Sequence, residues 1–218
     1  FGTSLVERAL IESVCRATGQ PLGQALRDGT LGFEPGAIHP VLAKRTAAEL
    51  LPQQPLAKVI ARHTVGLADP LSAAAIPADE LLDDSLPQSL DQCIRAYGLR
   101  HFKIKINGDL DADHDRLRSV AAVIGQHAPS DYAFSLDGNE QFKSVGEFHN
   151  HWSSLADDAE LTSFFEHLLF VEQPLHRDIA LEDSVGDDFG DWPDRPPVII
   201  DESDATVKSL PLALALGY

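Results

Sequence analysis

Four short apolar runs between residues 102 and 202 end in charge: Phe102-Lys103-Ile104-Lys105-Ile106, Tyr132-Ala133-Phe134-Ser135-Leu136-Asp137, Leu168-Leu169-Phe170-Val171-Glu172 and Val198-Ile199-Ile200-Asp201-Glu202. The steps from Lys105 to Asp137, to Glu172 and to Asp201 are 32, 35 and 29 residues. A strand with its crossover helix needs about 30 residues. Each step is therefore one βα unit, and the alternation implies an α/β fold with a parallel sheet. In barrels of such units, active sites are built at the C-terminal strand ends. That is where these charges fall.

The flanking segments extend the rhythm. Residues 58–67 hold Val59-Ile60 and His63-Thr64-Val65, an expected first strand ending near Gly66. Ser89 to Tyr97 has helical patterning, with Gly98 as its stop. Asp109 to Asp113 suits a helix N-terminus, and Leu117, Val120, Ala121 and Ile124 mark one face of that helix. Ser144 with Glu147 has a capping-box pattern, followed by apolar Phe148, Trp152 and Leu155. A second helical piece is expected over Glu160 to Leu168, a short helix within Asp178 to Asp194, and a last helix starting at Asp204-Ala205-Thr206.

The first quarter has no βα rhythm. Ser4 is placed to cap a helix through Arg16, with Glu7 three residues on, and Gly19-Gln20-Pro21 breaks it. Leu22 to Leu26 and Val41 to Leu51 read as further helical pieces, separated by a Gly/Pro-rich loop from Gly29 to Pro40. The expected organisation is 1–57 as a helical segment and 58–218 as part of a barrel.

Of 218 residues, 44% are hydrophobic and 23% charged, which suits a soluble globular protein. The net charge of −17 argues against nucleic acid and anionic membranes as partners. No apolar run approaches the roughly 20 residues that span a bilayer. Cys15 and Cys93 are far apart and form no metal or redox motif, as in a reduced, cytoplasmic protein. The chain has no methionine and begins at Phe1, so a piece of a longer protein is expected.

Asp137, Glu172 and Asp201 end consecutive strands, and neighbouring strands lie about 4.8 Å apart. Three carboxylates that close repel one another unless a cation joins them. Oxygen donors with room for water favour Mg²⁺. The bland alternative is that each acid caps a helix or forms a salt bridge. Lys103 and Lys105, two apart on a strand, share one face. Inside a barrel, two ammonium groups are expected to depress each other's pKa, which would make a lysine a usable base. The alternative is a solvent-facing pair. A lysine base with a divalent metal suits removal of the weakly acidic proton beside a carboxylate.

With these residues in view, the chain resembles the enolase superfamily, in its mandelate racemase and muconate lactonizing enzyme branch. Lys103-Ile104-Lys105, Asp137-Gly138-Asn139, Val171-Glu172-Gln173-Pro174 and Asp201-Glu202-Ser203 match that family's second to fifth barrel strands in order and rough spacing. The helix from Ser4 through Pro21-Leu22 looks like the family's link between capping domain and barrel. The resemblance implies an α+β capping domain on a (β/α)7β TIM-like barrel, of which strands one to five are present here. It implies Mg²⁺ held by Asp137, Glu172 and Asp201, with Lys105 as base. Lys103 would bind the substrate carboxylate and lower the pKa of Lys105, and Asn139 and Glu202 would be supporting polar groups. The implied enzyme is a lyase or isomerase: a racemase or epimerase, an acid-sugar dehydratase or a cycloisomerase. Its expected partners are a small-molecule carboxylate and further copies of the chain. The family's opposing lysine would lie on a sixth strand, past Tyr218, and Lys208 is too close to Asp201 to replace it. A non-catalytic relative that keeps the barrel for binding or assembly is the competing expectation. An unrelated α/β barrel whose charges only cap helices is the third.

Overall fold

The computed structural model describes residues 2–218 and divides the chain into two compact units at Val59/Ile60. The second unit is built on a five-stranded parallel sheet: β1 (Arg62–Val65), β2 (His101–Lys105), β3 (Ala133–Asp137), β4 (Leu168–Glu172) and β5 (Val198–Ile199). Its strand order is β1-β2-β3-β4-β5, every neighbour parallel. Each strand thus lies beside its predecessor, the singly wound order of a TIM-like barrel. The helices between them are α5 (Leu90–Tyr97), α6 (Leu110–His127), α7 (Val145–Ala156), α8 (Thr162–Phe165) and α9 (Asp183–Gly190), with α10 (Ser209–Leu216) after β5. They pack in chain order, α5 on α6, α6 on α7, α7 on α9 and α9 on α10. The long β3–β4 connection is explained by its two helices, α7 and α8.

Local chemistry sets these boundaries. Ser89 and Gln92 close a capping box at α5, and Gly98 ends the helix in the left-handed region, φ 60°. Asp109 accepts the Ala112 amide at the start of α6, and Ser144 accepts the Glu147 amide at the start of α7. Side chains then sort by the two-residue period of a strand. Val65, Phe102, Ile104, Phe134, Leu136, Val171 and Val198 face the helices and are buried. They meet Leu117, Val120 and Ile124 of α6, Phe148 and Leu155 of α7 and Phe189 of α9 in one core. Each such side chain contributes roughly 1.5–3 kcal/mol by leaving water. The alternate residues, Arg62, Lys103, Lys105, Ser135, Asp137 and Glu172, form the other, polar face.

The first unit is helical: α1 (Gly2–Thr18), α2 (Leu22–Arg27), α3 (Pro35–Ile38) and α4 (Ala47–Leu50), with a 3-10 turn at Pro40–Leu42. Several expected boundaries differ. Helix α1 is already formed at Gly2, so Ser4 lies in its first turn and not ahead of it. The segment from Val41 to Leu51 is a 3-10 turn followed by α4, whose own capping box at Thr46 and Glu49 restarts the helix. The Gly29–Pro40 loop contains α3, started by Pro35 at a position whose N–H a helix leaves unpaired. In the second unit, β1 is shorter than 58–67. The helix expected over Glu160 to Leu168 covers only Thr162–Phe165, because β4 claims Leu168 onward. The last helix starts at Ser209 instead of Asp204. Among the described residues, no helix is long and apolar enough to cross a membrane. Cys15 and Cys93 are free and buried.

Candidate active site

Register brings the candidate residues together. Lys105 pairs with Asp137, Asp137 with Glu172 and Glu172 with Ile199 across β2 to β5. Lys105, Asp137 and Glu172 therefore stand level at the C-terminal ends of three adjacent strands, on the face away from the helices. Both lysines point to that face. Lys103, one side-chain layer deeper, reaches up between the two acids: its Nζ lies 2.6 Å from Glu172 Oε1 and 3.0 Å from Asp137 Oδ2. Lys105 Nζ donates to Asn139 Oδ1 and stands 3.7 Å from Asp137 Oδ2. Asn139 closes the set, its backbone N–H donating to Asp137 Oδ1 at 3.0 Å.

The electrostatics of Lys103 are the reverse of the expectation that the two lysines depress each other. Burial by itself lowers its pKa, but hydrogen bonds and charge from Glu172 and Asp137 outweigh that and raise it above the ordinary lysine value. Carboxylates lie closer to Lys103 than any other cation does, so it is held as an ammonium.

Two acids converge and the third does not. Among the described residues, no three His, Cys, Asp or Glu side chains are grouped so as to hold one ion. Strand β5 pairs with β4 only over Val198–Ile199, so the backbone has left the sheet before Asp201. Asp201 is exposed in the bend that follows, and its carboxylate has no hydrogen-bond or ion-pair partner among the described residues. Its backbone is held nonetheless, the amide donating to Gln173 Oε1 at 2.8 Å. Glu202 is half-buried, with Oε2 out of solvent and accepting no hydrogen bond.

The donor set still fits a hard cation. Asp137 and Glu172 present only oxygen, and the positive charge already between them is a lysine ammonium standing where a cation is wanted. Glu172 Oε2 is buried and accepts no hydrogen bond; the Arg62 guanidinium faces it at 3.3 Å. Mg²⁺ prefers this kind of oxygen environment.

Sequence reasoning missed Arg62. It donates to Ser135 Oγ at 2.9 Å and lies over the Phe170 ring at 5.6 Å, while facing Glu172. One side chain thus spans β1, β3 and β4. Counting back by strand alternation from buried Val65 would have put Arg62 on the polar face beside Thr64. The same count puts His63 on the opposite side: it pairs in register with buried Phe102 on the helix side, where burial lowers its pKa. Three further histidines pack. His149 stacks on Trp192, His167 stacks on Tyr132, and buried His151 lies 3.0 Å from buried Asp113.

The strand exits are tightly joined. A Cβ on Gly138 would sit 2.6 Å from Pro174 Cα, so only glycine permits the β3 and β4 exits to approach this closely. Asn139, Glu140 and Gln173 have φ of 45°, 64° and 36°. Such positions cost about 1–3 kcal/mol each and cluster at functional sites. Arg177 holds Glu140 in a two-pronged pair, both contacts 2.6 Å, and keeps that carboxyl below its usual range.

No family model matches the sequence, and no curated protein matches it. Several solved structures are similar, among them an enolase and a racemase. An enolase from Bradyrhizobium, crystallised with magnesium and mandelic acid, is 20% identical with a TM-score of 0.53, the match covering 96% of this chain and 50% of that one. An N-succinyl Arg/Lys racemase from Bacillus cereus is 21% identical with a TM-score of 0.49, over 71% of this chain and 34% of that one. The chain thus spans about half the length of the first and a third of the second. At this identity, the likeness to the Bradyrhizobium protein shows the fold: successive strand–helix units of a TIM-like barrel.

Proposed function

We propose that this chain carries the lysine and acid half of an enolase-superfamily active site, one that removes the proton α to a substrate carboxylate. The observation that carries the reading is the assembly of Lys103, Lys105, Asp137 and Glu172 at adjacent strand ends on one sheet face. Asp137 and Glu172 would hold a divalent cation, with Asp201 as the third ligand that the sequence resemblance implies. A cation bound there would supply positive charge where the substrate carboxylate gains negative charge on losing its proton.

The chain's own residues supply the rest. Lys105 is the base, and its nitrogen must be neutral when it accepts the α-proton. Asn139 Oδ1 fixes where that nitrogen sits. Lys103 stays an ammonium and offers charge to the substrate carboxylate. The buried apolar layer beneath the site keeps the sheet rigid, so the groups need little reorganisation at the moment of reaction. The product class, whether racemised, dehydrated or cyclised, follows from groups opposite Lys105. The same reading carries a small-molecule carboxylate as substrate, a cytoplasmic location, for which the two free buried thiols speak, and assembly with copies of the chain.

The test is solvent deuterium entry at the α-carbon across acid sugars, amino-acid derivatives and dipeptides, using the full-length protein with Mg²⁺ or with EDTA. Exchange that needs Mg²⁺ and falls 10²- to 10⁴-fold in Lys105→Met is expected. Absence of exchange with every candidate favours a second reading, a non-catalytic barrel. One observation speaks for it: Lys103 pairs directly with both Asp137 and Glu172.

A further inference from the structure

Gln173 follows Glu172 and is 1% exposed, yet its amide is fully engaged. Its Oε1 accepts from the backbone N–H of Asp201 at 2.8 Å and of Ser203 at 3.1 Å. Its Nε2 donates to Leu175 O at 2.7 Å and to Ser203 Oγ at 2.8 Å. The backbone of the same residue bridges both neighbours: its N–H donates to Ile199 O at 2.8 Å and its carbonyl accepts from Glu140 N at 2.9 Å. One residue therefore ties together the exits of β3, β4 and β5. It does so at φ 36°, where a non-glycine residue is strained. Sheet pairing stops at Ile199, two residues before Asp201, so the side chain of Gln173 takes over where the ladder ends.

We infer that Gln173 is a positioning residue that fixes the backbone of the Asp201–Ser203 turn against the end of β4, so that Asp201, whose exposed carboxylate does not meet the other two acids here, has only to turn its side chain to join the ion held by Glu172. The inference rests on the metal-site reading above. Buried polar groups are normally satisfied, so four hydrogen bonds alone would also fit a purely structural amide. What separates the two is whether the ion senses the turn. Gln173→Met keeps the length of the side chain and removes every polar contact to the turn. Ser203→Ala removes one of the four bonds and leaves the backbone contacts in place.

The probe is Mn²⁺, titrated into the full-length protein and read by electron paramagnetic resonance, with amide hydrogen exchange measured on the metal-free protein. In Gln173→Met, exchange at Asp201 and Ser203 is expected to rise at least 100-fold while Ile104 and Leu136 stay protected. Mn²⁺ affinity is expected to fall at least 10-fold. A Gln173→Met protein that binds Mn²⁺ within two-fold of the unsubstituted chain overturns the inference and leaves the metal reading standing. An unsubstituted protein that binds no Mn²⁺ sinks the metal reading and the inference with it. Should Gln173→Met fail to fold, Ser203→Ala decides: a three-fold loss of affinity supports the role, and unchanged affinity overturns it.

Discussion

The ends of β4 and β5 carry the same kind of residue and treat it differently. Glu172 closes a five-residue strand paired on both sides, is 5% exposed, and sits between Lys103 and Arg62. Asp201 follows a two-residue strand and stands in solvent, its carboxylate without a partner among the described residues. A carboxylate at a strand end stands level with its neighbours only where the ladder runs that far. Where the ladder stops early, something else must hold the backbone, and here that is an amide side chain from the strand before.

Three paired comparisons test this contrast, the largest effect first. Phe134 on β3 is fully buried and stacks on Phe164 with ring centroids 4.1 Å apart. Phe134→Ala is expected to cost about 3–5 kcal/mol in chemical denaturation. Ile199→Ala, at a 38%-exposed position of β5, should cost about 0.5–1 kcal/mol. Equal losses would mean that β5 is as firmly built as β3, and the contrast would fail.

Glu172→Gln comes next. It removes a charged partner from both Lys103 and Arg62, and a loss of about 1–3 kcal/mol is expected. Asp201→Asn touches no hydrogen bond and should stay within about 0.5 kcal/mol. Both should weaken divalent-cation binding by calorimetry if the metal reading holds. Asp201→Asn with full affinity would leave Asp137 and Glu172 as the whole site.

The smallest effect lies away from the strand ends and calibrates the frame that holds them. Asp158, in the turn after α7, accepts hydrogen bonds from Arg118 at 2.8 Å and pairs with His114 at 2.9 Å, joining that turn to α6. The Arg118 hydrogen bond, opposed by burial and helped by the Glu160 amide and His114, holds its carboxyl down at about 2. A depressed carboxyl stabilises the fold above its ordinary pKa of 3.8 and loses that contribution as pH falls toward 2. Acid titration followed by circular dichroism should therefore show a loss between those values that Asp158→Asn lacks. An unchanged acid limb in Asp158→Asn would show that this pair adds nothing to the frame.

Much of the fold was legible because its signals are local. Apolar runs of strand length, about 30 residues apart and ending in charge, require parallel βα units whatever lies around them. Ser89, Gly98, Asp109 and Ser144 mark helix ends through bonds made within four residues. The pairing of Lys103 with Lys105 on one face, and the nearness of Asp137 to Glu172, follow from alternation and strand spacing alone. Helix starts at Ser4 and Asp204 were misplaced because good capping residues do not compel a cap when the neighbouring chain offers another start.

By itself, then, the sequence determined a parallel α/β sheet whose strand ends collect two lysines and a row of acids. Only the tertiary structure decided which of them meet. That Lys103 bridges Asp137 and Glu172, that Arg62 reaches Ser135 and that Gln173 holds the Asp201 turn are contacts between residues 28 to 73 positions apart. Their existence depends on how far each ladder runs before the chain turns away. No local pattern encodes that length, because it is set by packing between strands and not within them.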